Sequence, residues 1–149
     1  MNISLNENVN IEKFQKDDVL FKEGDLPDSF FIVMSGKVIT LKWFDGRLTP
    51  IYTAIQEDIV GEDCVFSDND QYFYSAIAIE DCEVIRIQKA DAFKYLNSQS
   101  EWIKKILQNI SDKIEHTSEV IAEHRILDSK LLSNSEFTDE QEASYKFKL

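Results

Sequence analysis

Gly61 followed directly by Glu62, at the end of the apolar run Ile59-Val60, is the pair in this chain best suited to hold a small polar group. Glycine permits a tight turn because it lacks a Cβ. A carboxylate on that turn accepts hydrogen bonds, which suits Glu62 to a ribose hydroxyl. Ser75-Ala76 opens another apolar run thirteen residues after Glu62, with Tyr74 just before it. The other reactive residue types offer less. His116 and His124 stand eight residues apart, about two helical turns, too far for a tight metal site. Cys64 and Cys82 form no CxxC pair and read as small buried hydrophobes in a reducing compartment. Glu62 beside Asp63 is a carboxylate pair, but such neighbours on one loop more often make a solvated turn or a single hydrogen-bonding site. With no P-loop, no His-x-x-Glu-His and no base beside a cysteine, no catalytic residue and no metal ligand is expected.

These residues must be carried by strands. From Val19 to Ile87 short apolar runs alternate with turns: Val19-Leu20-Phe21, Phe30 to Met34, Lys37 to Trp43, Ile51 to Ile55, Ile59-Val60, Ser75 to Ile79 and Val84 to Ile87. In the third run Val38 and Thr40 fall on one face, and Ile39, Leu41 and Trp43 on the other. Asp45-Gly46 is a hairpin signal. About eight strands at intervals near ten residues predict an all-β barrel or roll.

After Gln88 the period changes. Ala90 to Asn97 reads as a short helix, and a long one runs from Ser98 to about Leu127. Ile103, Leu107, Ile110, Ile114, Thr117, Ile121 and His124 repeat at alternating steps of four and three, an a/d seam over three heptads. So thin a stripe predicts a parallel two-helix homodimer; the alternative is an amphipathic helix buried within its own domain. Trp102, Ile106 and the stem of Lys113 are expected to pack the helix back onto the barrel. Three units follow: residues 1–97, the long helix 98–127, and an acidic, flexible tail 128–149. The end of that tail, Tyr145 to Leu149, alternates apolar and basic residues and is a candidate edge strand or docking segment.

Composition narrows the partners. Of the 149 residues, 43% are hydrophobic, enough to fill one core. Twenty-eight acids against sixteen bases give a net charge of −12, and arginine occurs only at 47, 86 and 125. Nucleic acid is therefore not an expected partner, since its binding draws on Lys and Arg at phosphates. No basic leader precedes an apolar segment, and no apolar run approaches the ~18 residues that span a bilayer. No membrane partner and a cytoplasmic location are expected.

Four stretches together resemble the cyclic-nucleotide-binding domain family, nearest the catabolite-activator type: Leu20-Phe21-Lys22-Glu23-Gly24-Asp25, Phe30 to Val38 with Gly36, Asp58-Ile59-Val60-Gly61-Glu62, and Ser75-Ala76. The likeness runs from about Val9 to Arg125. It implies a mainly β fold with C-terminal α: a jelly-roll-like β-roll that holds the nucleotide, followed by a long helix that covers the base and forms the dimer. It implies a ligand site built from Gly61, Glu62, Asp63, Cys64, Tyr74, Ser75, Ala76, Thr117 and Ser118. In it Glu62 would accept from the ribose 2′-hydroxyl, and the amides near Asp63 and Cys64 would face the phosphate. Ser75 would donate to a phosphate oxygen, and Thr117-Ser118 would meet the adenine edge.

Two departures stand against that pattern. Tyr74 replaces the arginine that would pair with the phosphate, and Asp63 adds a carboxylate where an apolar residue is usual. Lys37, Arg47 and Arg86 are the candidate substitutes for the missing charge. The activator type continues into a helix-turn-helix domain, whereas here residues 128–149 are expected to leave no room for one. The expected function is a non-enzymatic dimeric adapter that works through an unidentified protein partner, with a degenerate phosphate site and no required cofactor. The alternative is a working sensor of cAMP or a related purine nucleotide.

Overall fold

The structure, a computed structural model, describes residues 9–124 and 137–149. Eight strands make two antiparallel four-stranded sheets: β1 (Ile11–Phe14), β2 (Val19–Phe21), β3 (Ser29–Ser35), β4 (Val38–Phe44), β5 (Arg47–Ala54), β6 (Ile59–Val60), β7 (Ser75–Ala78) and β8 (Cys82–Gln88). One sheet runs β1-β8-β3-β6 and the other β2-β7-β4-β5. The predicted roll is thus present. Strand β1, which precedes the first of the predicted runs, is an addition. It pairs with β8, and Arg86 of β8 holds Glu12 of β1 in a two-pronged ion pair at 2.7 and 3.0 Å.

The inward faces of both sheets build the main core: Phe31, Val33, Val38, Val60, Ala76, Ala78 and Val84 are buried together. Full burial of the valine and phenylalanine side chains among them contributes about 1.5–3 kcal/mol each. Phe21 stacks on Tyr72 with ring centroids 4.0 Å apart. Gly36 marks a place where only glycine fits. Its φ is 80°, and a Cβ there would lie 2.7 Å from the Cβ of Cys82.

Strand β4 is buried on both faces, as its unbroken apolar run allows. Val38 joins the main core, whereas Ile39 and Leu41 join Leu48, Ile77 and Ile79 in a second cluster on the outer face. A helix not predicted from the sequence covers that cluster. Helix α4 (Asp139–Lys146, numbered after the three helices below) is started by Thr138, whose hydroxyl and backbone N–H exchange hydrogen bonds with Gln141 as a capping box. Its Tyr145 is 1% exposed within the second cluster, flanked by Phe137 and Leu149. The Tyr145 hydroxyl donates to Asp17 Oδ1 at 2.6 Å, and Lys148 donates to the Asp17 carbonyl at 2.7 Å. Glu142 accepts from Arg47 Nε and Nη2 at 2.8 and 2.9 Å and from the Leu48 N–H at 3.0 Å. The expectation of a flexible tail is therefore corrected for residues 137–149, which form a docked helix rather than a solvated tail or an edge strand. Residues 128–136 lie outside the described residues.

Helix α1 (Glu62–Phe66) follows β6, α2 (Lys89–Leu96) follows β8, and α3 (Glu101–His124) lies against α1, β4 and β5. The predicted end of α3 near Leu127 lies outside the described residues. Its packing face differs from the predicted one. Trp102 and Ile106 are 64% and 47% exposed, while Ser111, Ser118 and Ala122 are buried. Those three fall on one helical stripe, and their small size brings the helix close to the roll. Polar links tie α3 to the loop after α1: Gln108 donates to Asp68 at 2.7 Å and Asn69 donates to Glu115 at 2.7 Å.

Candidate functional site

A cavity of about 700 Å³ lies between α3, α1 and the strands β4, β5 and β6. Its walls are largely aliphatic, from Ile51, Ile59, Val60, Ile110, Ile114 and Ile121. Its polar groups come from Thr40, Tyr52, Glu57, Asp58, Glu62, Asp63 and Tyr74 on the roll and from Lys113, Thr117 and Ser118 on α3.

The turn into α1 is set by Gly61, whose φ is 88°. A Cβ at Gly61 would press on the Phe21 ring at 3.3 Å. This turn aims the first groups of α1 at the cavity, where an anion would meet backbone N–H donors. Here two of the N–H donors, those of Gly61 and Cys64, have protein partners. The Gly61 N–H donates to the Tyr74 hydroxyl at 3.0 Å, and that hydroxyl donates to Asp63 Oδ1. Asp63 Oδ1 also accepts from the Cys64 N–H at 3.0 Å. Tyr74 and Asp63 are both buried, and the tyrosine ring packs edge-on against Phe73.

Burial pushes the Tyr74 phenol well above its ordinary range, and the nearby Asp63 charge adds to the shift. Burial likewise raises Asp63, against the pull of its Tyr74 hydrogen bond. Glu62 is pushed up to about 8 by burial first and by Asp63 second. Its Oε2 is buried and has no hydrogen-bond partner. Asp58 accepts from the Tyr52 hydroxyl at 2.8 Å and the Ile55 N–H at 2.9 Å. Burial, then Asp58, raises Tyr52 to about 12.

Of the nine residues in the expected site, Glu62, Asp63, Tyr74, Thr117 and Ser118 line this cavity, and Gly61 shapes its entry turn. Cys64, Ser75 and Ala76 are buried outside the lining. The Ser75 hydroxyl, expected to donate to a phosphate, instead accepts from the Glu23 N–H at 2.8 Å. The candidate substitute cations are engaged elsewhere: Lys37 with Glu80, Arg47 with Glu142 and Arg86 with Glu12. Lys113, read from the sequence only as a stem packing the helix on the barrel, is the cation of the lining; its place four residues before Thr117 was the available signal. Along the predicted seam Ile110, Ile114, Thr117 and His124 are exposed, and Ile103, Leu107 and Ile121 are half-buried. No group of three or more His, Cys, Asp or Glu among the described residues is placed to hold a metal ion.

A β-roll with a short helix after its turn and a long helix beside the cavity is the frame that carries this site. The chain belongs to the cyclic nucleotide-binding domain family, whose model matches residues 11–99. An anaerobic regulatory protein of Bacillus subtilis (strain 168) is 29% identical over 116 residues, covering 70% of this chain and 49% of that protein. The chain thus spans about half the length of that curated relative. Among solved structures, the cAMP-bound form of the EAL enzyme Bd1971 superposes with a TM-score of 0.69 at 20% identity, over 76% of this chain and 30% of that one. The sensor domain of the transcriptional regulator DNR from Pseudomonas aeruginosa gives 0.62 at 16% identity, over 74% of this chain and 75% of that one. At such identities these structures speak for the fold alone. No helix among the described residues is long and apolar enough to cross a membrane.

Proposed function

We propose that this chain is a non-enzymatic, cytoplasmic regulatory module in which the phosphate slot of the family is occupied by its own side chains. It acts as a homodimer through α3 and signals to a protein partner rather than to DNA. The observation that carries this reading is the Gly61–Tyr74–Asp63 chain of hydrogen bonds. A cyclic phosphate at this turn would compete with Tyr74 for the Gly61 N–H and with Asp63 for the Cys64 N–H, and would sit beside a buried Asp63. Two anions held together in a low-dielectric site repel strongly, and the guanidinium that would offset this is absent.

A working cyclic-nucleotide sensor is the second reading. Thr117 and Ser118 favour it, since both line the cavity opposite Glu62 and Asp63. Calorimetric titration with cAMP, and with cGMP for comparison, separates the two. The closed slot predicts no heat at millimolar nucleotide. Binding at micromolar concentration would sink it and establish the sensor.

A further inference from the structure

The polar end of the cavity is rich in acceptors, and the Gly61 and Cys64 N–H donors of its turn are already taken. The Gly61 N–H is spent on Tyr74, and the Tyr74 proton on Asp63. Asp58 is held by Tyr52 and the Ile55 N–H. Glu62 is the exception: its carboxyl lines the cavity, and its Oε2 is buried with no hydrogen-bond partner. A buried unpaired acceptor is a cost the fold carries unless something donates to it. An ammonium group has three donors, no acceptor and the complementary charge. The isoleucine walls suit a hydrocarbon body behind it.

We propose that this cavity receives an organic cation, an ammonium on an apolar body, with Glu62 as its counter-ion. The proposal rests on the reading that the phosphate slot is closed. The titratable groups that share the cavity lining with Glu62 are Asp63 on its own helix, Glu57 and Asp58 on the turn before β6, Tyr52 on β5, Tyr74 before β7 and Lys113 on α3. Acids outnumber the single exposed lysine, so the field at Glu62 favours a cation. Because Glu62 holds its proton near neutrality, an entering ammonium displaces it, and binding strengthens as pH rises.

The test is calorimetry on the full chain with phenethylammonium, hexylammonium and tryptammonium chlorides at pH 6 and pH 8.5. The uncharged 2-phenylethanol and cAMP are titrated in parallel. At least one amine is expected to bind about tenfold or more tightly at the higher pH, and Glu62→Gln is expected to weaken it by about tenfold or more. Ile51→Trp, which narrows the chamber without touching a carboxyl, is expected to abolish the same signal. The proposal is overturned by silence from all three amines, by equal binding of the alcohol, or by unchanged binding in either variant. Silence from cAMP as well leaves the closed slot standing; heat from cAMP alone removes both readings.

Discussion

Tyr74 receives the Gly61 N–H and gives its own proton to Asp63, so two residues that each oppose phosphate binding also satisfy one another. The exception beside them is Glu62, with a prediction of its own. Its carboxyl is raised from 4.5 to about 8 by burial and Asp63. Between those values the folded chain keeps a proton that the unfolded chain has released. Stability therefore falls as pH rises through this window, and the full cost is present above about 8. Glu62→Gln should melt roughly 3 °C or more above the parent at pH 8.5 and close to it at pH 4.5. Equal melting temperatures at pH 8.5 would remove the claim. Sequence alone brought out Gly61-Glu62, the departure at Tyr74 and the intrusive Asp63. It could not bring out their contact, because a hydrogen bond between residues eleven apart depends on how β7 faces α1. Ser75 shows the same limit: its hydroxyl had a natural reading toward the ligand, and the β2–β3 turn took it first.

At the level of elements, glycine turns and alternating runs made the strands readable, and the two surprises are both helices. The docking face of α3 escaped notice because Ser111, Ser118 and Ala122 carry no hydrophobic signal, whereas the larger Trp102 and Ile106 did and point outward. Helix α4 escaped because its segment is polar apart from Phe137, Tyr145, Phe147 and Leu149. Two clues existed: the Thr138-x-x-Gln141 capping pattern, and a β4 strand apolar on a face that nothing else in the chain was assigned to cover. Tyr145 anchors the helix, and Tyr145→Ala should cost about 3–5 kcal/mol in urea denaturation, the range for emptying a large buried aromatic site. A loss under ~1 kcal/mol, well below that range, would mean α4 adds little to the fold. Glu142 is held down to about 2, chiefly by its hydrogen bonds from Arg47.

For the whole molecule, α3 leaves Trp102, Ile106, Ile110 and Ile114 exposed, the last two also lining the cavity. A second copy of the same helix would cover Ile110 and Ile114, the two of these that lie on the predicted seam, in keeping with the proposed homodimer. Ile110→Asp places a charge in that contact and should halve the mass measured by light scattering, since burying an unpaired charge is costly. An unchanged dimeric mass, or a parent that is itself monomeric, would dispose of the interface.

Strand β5 lies at the margin of its sheet, and such a margin ordinarily invites another chain to add on through free backbone groups. Here Pro50 has no N–H to offer, and the Leu48 N–H is already committed to Glu142. The carboxylate that fastens α4 therefore also protects the protein from edge-to-edge aggregation, closing with a helix the border that an added strand would otherwise have extended.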